Sequence, residues 1–185
     1  MSPIARLRPR IVGEARGRVL EVGVGTGLNL VHYGEGVSEV VGVEPDPHML
    51  ARARARQASA RVPVELVQVG AEAMPFEPAS FDTILLTWVL CTIPDVDGAL
   101  REIVRVLRPE GQVLWVEHTR SRYGVMAAGQ AVLNPAWRCL AGGCNLTRDP
   151  VELMTKAGLM VEGVHPRGSE LSPVPIYQGT ARLSR

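Results

Sequence analysis

Short apolar runs recur along this chain, separated by polar stretches or by stretches of helical periodicity. The runs have four to nine residues and predict strands at 19–22, 39–43, 64–69, 81–89, 112–117, 159–164 and 176–183. The run at 81–89 is almost continuously apolar, as is typical of a central parallel strand that is covered on both faces. Strands that alternate with helical segments predict an α/β fold with a parallel sheet.

Three aspartates mark predicted helix starts. Asp46 and Asp149 each precede a proline, which suits the first helical position, and Gly158 is expected to end the last helix. After Asp95, apolar residues recur at helical spacing at Leu100, Ile103, Val104 and Leu107. A further helical stretch is predicted at 28–33. These boundaries place the strand ends, and so the ligand-binding edge of the sheet.

With 185 residues and 46% hydrophobic content, the chain is sized for one core. We therefore predict a single domain over 1–185. Residues 119–148 do not continue the alternation of strand and helix, and we expect them to be an insertion that shapes the substrate pocket.

The first predicted strand runs into a glycine-dense turn with glycines at 23, 25 and 27. Such glycines allow a tight turn and let a nucleotide lie against the main chain. The third small position of the dinucleotide fingerprint falls on Leu28, so the fit to NAD or FAD is poor. Glu21 repels a pyrophosphate but suits a cofactor with an amino group and a sulfonium, namely S-adenosylmethionine.

Glu44 ends the second predicted strand about 20 residues after the glycine turn, where a ribose-binding acid is expected. Its carboxylate can accept from two ribose hydroxyls, although a solvated loop residue is the alternative reading of this position alone. The turn after the third strand contains Ala71 and Glu72, which we assign to adenine recognition. Pro45 and Thr87 are assigned to the same cofactor site.

The chain has 20 basic and 19 acidic residues, for a formal net charge of +1. This balance argues against an overall field that would attract nucleic acid or anionic lipid, so we expect a small-molecule partner. Cys91, Cys139 and Cys144 form no C-x-x-C pair, which predicts a reducing cytoplasm and no metal site. The start of the chain lacks the apolar core of a signal peptide.

Several motifs together resemble those of class I S-adenosylmethionine-dependent methyltransferases. They are Leu20-Glu21-Val22-Gly23-x-Gly25-x-Gly27, Glu44-Pro45, residues 71–76, Ser80-Phe81-Asp82 and residues 106–111. Within that class, Leu90-Cys91, Glu117-His118, residues 134–137 and Gly143-Cys144-Asn145-Leu146-Thr147-Arg148 resemble the methyltransferase-like 7 group, whose animal members are similar to thiol S-methyltransferases. The resemblance implies a Rossmann-like, mostly parallel seven-stranded sheet with an antiparallel last strand, helices on both faces, and S-adenosyl-L-methionine as cofactor.

The sequence departs from the family in two places. Many class I enzymes carry an acid where this chain has Gly70, so adenine recognition is expected to use backbone groups and Glu72. Animal members also carry an apolar N-terminal membrane anchor, whereas this chain begins a short helix before its first strand. We therefore expect no membrane anchor and a reduced cover of the substrate pocket.

The resemblance implies direct transfer of a methyl group to a small acceptor, with a thiol as the first choice. A thiol reacts as thiolate, so His118 is the candidate base and Asn145 and Arg148 are candidate orienting residues. Cys91 is interpreted as buried packing. The alternatives are an N-methyltransferase of a small amine or of phosphatidylethanolamine, a non-catalytic cofactor-binding module, and a nicotinamide oxidoreductase.

Overall fold

A computed structural model describes residues 3–184, with side chains described from residue 6 onward. The strands are β1 (Gly17–Val22), β2 (Val37–Val43), β3 (Val64–Val67), β4 (Phe81–Thr87), β5 (Leu107–His118), β6 (Leu159–Pro166) and β7 (Ile176–Leu183). The helices are α1 (Pro3–Val12), α2 (Pro47–Gln57), α3 (Val96–Val106), α4 (Gly124–Leu140) and α5 (Pro150–Lys156), with a 3₁₀ turn at Leu30–His32.

The seven strands form one sheet in the order β3-β2-β1-β4-β5-β7-β6. The pairs β3–β2, β2–β1, β1–β4 and β4–β5 are parallel, and β7 runs antiparallel to both β5 and β6. The predicted α/β class and the antiparallel last strand are thus confirmed. The strand order reverses between β1 and β4, and open α/β sheets bind ligands at the carboxyl edge of such a switch point.

Apolar side chains are buried on both faces of the sheet. On one face, α3 and α5 pack through residues that include Leu100, Ile103 and Met154. On the other face, α1 and α2 pack through Ile11 and Leu50. Helices therefore cover both faces, as predicted, which explains why the central strands read as continuous apolar runs.

The three predicted aspartate caps are confirmed. Asp46 accepts from the backbone amides of His48 and Met49, Asp149 accepts from those of Val151 and Glu152, and Asp95 accepts from that of Gly98. Each carboxylate satisfies amides that a helix start leaves without partners. Gly158 follows α5 with φ of +91°, which only glycine adopts freely.

Three boundary predictions are corrected. The helix predicted at 28–33 is only the 3₁₀ turn Leu30–His32, and β3 ends at Val67 rather than at residue 69. Leu107, predicted on the buried stripe of α3, begins β5, five residues earlier than the predicted start at 112. A strand and a helix both bury an apolar residue at this position, so periodicity could not separate them.

The segment 119–148 contains a helix that the sequence analysis did not predict. It is α4, which buries only Ala127 and Gln130 and exposes large apolar side chains such as Val132 and Leu140. Its apolar residues follow one another along the sequence instead of recurring at helical spacing, and Pro135 lies inside the helix. The sequence therefore gives no clean helical pattern here. Within residues 3–184, no helix is long and apolar enough to cross a membrane.

Candidate active site

A cavity of about 390 Å³ lies at the carboxyl edge of β1, β2 and β3. It brings together segments that the sequence analysis assigned to one cofactor site. Its lining residues are Val22, Gly23, Gly25, Val43, Glu44, Pro45, Asp46, Met49, Val69, Ala71, Glu72, Val89, Thr92, Ile93, Pro94 and Gly142. Predicted cofactor residues from three different turns therefore face one space.

The glycine turn after β1 requires glycine for two different reasons. Gly23 has φ of +66°, and a Cβ there would lie 2.4 Å from Cγ2 of Val89. Gly25 has φ of +56°, and a Cβ there would meet only the carbonyl oxygen of Gly23, at 3.8 Å. A side chain at Gly25 would therefore extend into the cavity that this residue lines. The turn is a backbone cradle of the kind that a nucleotide needs.

Glu44 is held at the cavity wall by its neighbours' amides. One carboxylate oxygen accepts from the amide of Gly25 at 3.0 Å, and the other accepts from the amide of Asp46 at 3.0 Å. Each oxygen retains lone-pair capacity for another donor. This position suits a carboxylate that binds a ribose diol, and it ties β2 to the glycine turn.

Ala71 and Glu72 also line the cavity, on the side formed by the turn after β3. The Glu72 side chain folds back over Gly70, where a Cβ would lie 2.5 Å from its Oε2. The glycine at position 70 and the placement of Glu72 are therefore linked. An acid at position 70 would have to displace the Glu72 carboxylate.

Glu21 does not line this cavity. It is 1% exposed and lies behind the glycine turn, where it accepts from Asn29 at 2.8 Å and from the Tyr33 hydroxyl at 2.8 Å. Burial raises its pKa to about 7, against the opposing effect of these hydrogen bonds. The predicted direct contact of Glu21 with the cofactor has no support in this geometry, in which Glu21 orders the turn from behind.

Thr87 joins the same network and lines an adjoining recess of about 280 Å³ that shares Gly23, Gly25 and Glu44 with the cavity. Its hydroxyl accepts from Asn29 at 3.1 Å. The predicted placement of Thr87 beside the cofactor space is thus consistent with the structure. Its direct contact with the cofactor stays a prediction.

Two residues of this recess escaped the sequence analysis. Trp88 follows β4 with φ of +55°, a strained conformation for a bulky residue, and its indole is covered by the Arg8 guanidinium at 4.9 Å. Arg8 comes from α1, so the helix before the first strand contributes to the site. A non-glycine residue at positive φ beside a cavity is a recognised mark of a functional position, but the sequence carries no signal of it.

His118 lies at the end of β5, as expected, and its Nδ1 is 3.6 Å from Sγ of Cys144. Burial lowers the pKa of His118 below its ordinary value, so the imidazole is neutral near pH 7. Sγ of Cys91 completes a group of three ligating atoms that all lie within 4.8 Å of one another. The sequence spacing of these residues had pointed to no cluster, and Cys91 had been interpreted as packing alone.

Arg148 and Asn145 contact backbone rather than the cavity. The Arg148 guanidinium donates to the carbonyls of Leu90 and Ile93, at 2.5 and 2.8 Å. The amide of Asn145 donates to the carbonyl of Cys91 at 2.9 Å, while its side chain accepts from Thr147. Both predicted orienting residues therefore fix the loop after β4, which forms one wall of the cavity.

Glu117, the residue before His118 on β5, supports the loop after β4 as well. It is fully buried and accepts from the amides of Val89 and Leu90 at 2.8 and 3.2 Å. Burial raises its pKa to about 8, against the effect of these bonds and of the Arg148 charge. The loop after β4 is thus held between the buried Glu117 carboxyl and the partly exposed Arg148 guanidinium.

A separate apolar cavity of about 510 Å³ lies along α4 and includes Leu133, Trp137, Leu146 and Pro173 in its wall. Among the described residues, none lines both this cavity and the one at the glycine turn. The segment 119–148 reaches the cofactor cavity itself only through Gly142. The prediction that this segment shapes the substrate pocket remains a prediction.

The residues at the cavity fit S-adenosylmethionine. The turn leaves room for a ligand only because Gly25 has no side chain, Glu44 offers acceptors for ribose hydroxyls, and apolar groups such as Met49 and Ile93 complete the wall. This donor and acceptor set is that of a nucleoside site.

Comparison with known proteins agrees with this geometry. Residues 20–115, more than half of the chain, match the family model described as a methyltransferase domain. The chain is 34% identical over 143 residues to the human thiol S-methyltransferase TMT1A, an alignment that covers 75% of this chain and 58% of that protein. It is 39% identical over 119 residues to a phosphatidylethanolamine N-methyltransferase of Cereibacter sphaeroides, covering 63% of this chain and 58% of that protein. The chain thus spans somewhat over half the length of these curated relatives.

Solved structures show the same fold at lower identity. The YcgJ protein of Bacillus subtilis superposes with a TM-score of 0.78 at 20% identity, covering 98% of each chain. The [4+2]-cyclase SpnF superposes with a TM-score of 0.77 at 21% identity, covering 97% of this chain and 81% of that one. The family model and the human relative carry the assignment beyond the fold: the chain belongs to the methyltransferase domain family, whose cofactor is S-adenosylmethionine.

Proposed function

We propose that this protein is an S-adenosylmethionine-dependent methyltransferase that methylates the sulfur of a small thiol. The main support for a thiol acceptor is the similarity to the human thiol S-methyltransferase. This similarity covers 75% of the chain and therefore extends past the cofactor motifs. Within the motif Gly143–Arg148, Asn145 and Arg148 donate to backbone carbonyls of the loop after β4, which lines the cofactor cavity.

When bound, the cofactor supplies a methyl group on a sulfonium, which is already a good leaving group. The chain therefore needs mainly to hold the reactants in line and exclude water. Gly23, Gly25 and Glu44 would hold the cofactor, and Trp88 with the Arg8 guanidinium over its ring lines the adjoining recess. His118, neutral near pH 7, is the candidate base that would accept the proton of the acceptor thiol if no metal is bound.

A second acceptor class has its own support. The relative from Cereibacter sphaeroides that acts on phosphatidylethanolamine is 39% identical, although over fewer residues of this chain. Amine methylation would need no thiolate and would make less use of a neutral histidine among two cysteines.

The product mass distinguishes these acceptors. The protein is incubated with S-adenosylmethionine and matched acceptors that differ only in the reacting atom, 2-mercaptoethanol, ethanolamine and ethylene glycol, and separately with phosphatidylethanolamine vesicles. A gain of one methyl on the thiol alone is expected. Methylation of ethanolamine or of the lipid, with no product from any thiol, would replace the thiol assignment by the N-methyltransferase.

A non-catalytic module is the remaining alternative from another class, and the fold of the [4+2]-cyclase shows that this architecture also serves other reactions. Calorimetric binding of S-adenosylmethionine without product from any acceptor class would favour it.

A further inference from the structure

Three ligating side chains converge from three separate segments beside the cofactor cavity. Cys91 lies in the loop after β4, His118 ends β5, and Cys144 follows α4. Their Sγ, imidazole nitrogen and Sγ atoms all lie within 4.8 Å of one another. Three segments more than 20 residues apart thus bring two thiols and one imidazole within ligating distance of a common point.

The spacing matches one metal ion. Cys144 Sγ and His118 Nδ1 are 3.6 Å apart. Two ligands of a tetrahedral zinc ion have this separation when Zn–S is about 2.3 Å and Zn–N is about 2.0–2.1 Å. Two thiolates and one imidazole form a ligand set that zinc prefers, and a three-residue set leaves a fourth position for water or substrate.

Charge and burial fit the same ion. Cys91 is 3% and Cys144 5% exposed, so two bare thiolates here would be costly, whereas Zn²⁺ with two thiolates and a neutral imidazole carries no net charge. The neutral form of His118 is the form that binds metals. The partly exposed Arg148 guanidinium donates to the carbonyls of Leu90 and Ile93, on both sides of Cys91 along the chain, and would offset a further negative ligand.

We propose that Cys91, His118 and Cys144 bind one Zn²⁺ ion, and that its fourth position binds the sulfur of the acceptor thiol. The metal site is inferred from the geometry alone, whereas the binding of the acceptor sulfur at its fourth position rests on the proposed function. Thr92, Ile93 and Gly142 line the cofactor cavity and flank Cys91 and Cys144 along the chain, so the proposed ion would lie behind the wall that these segments form.

The chemistry balances without a further reactant. Zinc binding releases the protons of the two cysteine thiols, and binding of the acceptor releases its S–H proton to solvent, because a metal-bound thiol is deprotonated. In the zinc-bound form His118 is therefore a ligand and not the base. The acceptor sulfur then forms a bond to the methyl carbon while the bond from that carbon to the cofactor's sulfur breaks, with the electron pair staying on the latter sulfur. The thioether product is a weak ligand and leaves.

Metal content tests the site directly. The full chain is stripped with a chelator under reducing conditions, titrated with Zn²⁺ and measured by atomic emission after gel filtration. Wild type is expected to retain about one zinc ion per chain, and Cys144→Ser and Cys91→Ser to retain almost none. Cys139→Ser is the matched control, because Cys139 is exposed on α4 and should leave the zinc content unchanged.

Cobalt substitution tests the acceptor half and does not depend on how the variants fold. In Co²⁺-loaded wild type, the thiolate-to-metal charge-transfer absorption should increase when 2-mercaptoethanol is added and not when ethanolamine is added. A cobalt spectrum that does not change when 2-mercaptoethanol is added would overturn the proposal that the acceptor sulfur binds the metal. Reduced protein that retains no zinc overturns the metal site, as does an intact mass showing a Cys91–Cys144 disulfide as the resting state. Zinc binding and a thiol response without any methylated product would contradict the proposed function and leave the metal site standing.

Discussion

The cofactor cavity is built from turns that follow three strands and carry sequence motifs, whereas Cys91, His118 and Cys144 come from segments whose spacing in the sequence predicted no cluster. The turn after β1 supplies Gly23 and Gly25, and the next strand supplies Glu44, which bonds directly to that turn. Cys91, His118 and Cys144 come together only because β4 and β5 are neighbours and the chain after α4 folds back onto them.

The glycine turn and α4 also differ in how completely they are packed. Behind the glycine turn lies a fully buried polar network centred on Glu21, while α4 exposes large apolar side chains along most of its length. Tight packing leaves little tolerance for change, so a substitution of equal size should cost much stability at the glycine turn and little on α4. The predictions below test that contrast.

Gly23→Ala should have the largest effect. The new Cβ would lie 2.4 Å from Cγ2 of Val89 in a residue with φ of +66°. Left-handed backbone strain of about 1–2 kcal/mol and overpacking of about 1–3 kcal/mol should lower the free energy of unfolding. Calorimetric affinity for S-adenosylmethionine should fall by at least about tenfold, since the loop that lines the cavity must move.

In Gly34→Ala, the Cβ meets nothing within 4 Å, so this control should keep the stability and the cofactor affinity of the wild type. Equal behaviour of the two variants would refute the special role of the turn.

Glu44→Ala should lose cofactor affinity while the fold remains. A hydrogen bond to a charged group contributes about 1.5–3 kcal/mol, so the loss of two ribose contacts predicts a decrease of tenfold or more. Glu39→Ala is a control on the same strand, because Glu39 forms only a half-exposed ion pair with Arg18 at 2.9 Å. Calorimetric titration with S-adenosylmethionine measures both, and unchanged affinity in Glu44→Ala would remove this residue from the site.

Glu21→Gln should change how stability depends on pH. Burial raises the Glu21 pKa from 4.5 to about 7 in the folded state, so the folded protein binds the proton more tightly than the unfolded chain. This group's contribution to stability is therefore complete below about pH 4.5 and is lost as pH rises through about 7. Wild type should lose about 1–3 kcal/mol more than Glu21→Gln over that window. Denaturant unfolding at several pH values measures it, and parallel pH curves for the two proteins would contradict the assigned ionisation.

Gly129→Ala should have the smallest effect, with the opposite sign. Gly129 lies inside α4, and its Cβ would meet nothing within 4 Å. Replacing a helical glycine by alanine stabilises by about 0.5–1 kcal/mol. The melting temperature should rise slightly and cofactor affinity should not change. A destabilised variant would mean that the α4 surface is packed more tightly than its exposure indicates.

By itself, the sequence determined the α/β class, the helix starts at Asp46, Asp95 and Asp149, and the cofactor turns. These features depend on contacts between residues near one another along the chain: a cap bonds amides two or three residues away, and a turn needs glycine at the residue that has positive φ. The resemblance to the family then extended the prediction to a seven-stranded sheet with an antiparallel last strand.

Only the tertiary structure decided what packs against those turns. Glu21 faces a network with Asn29 and Tyr33 rather than the cavity, Arg148 and Asn145 hold the loop after β4, and Arg8 reaches Trp88 from α1. The cysteines and His118 meet because strands distant in sequence are adjacent in the sheet. Sequence spacing carries no record of such contacts, because the direction of a buried side chain and its neighbours are set by the packing of the whole core.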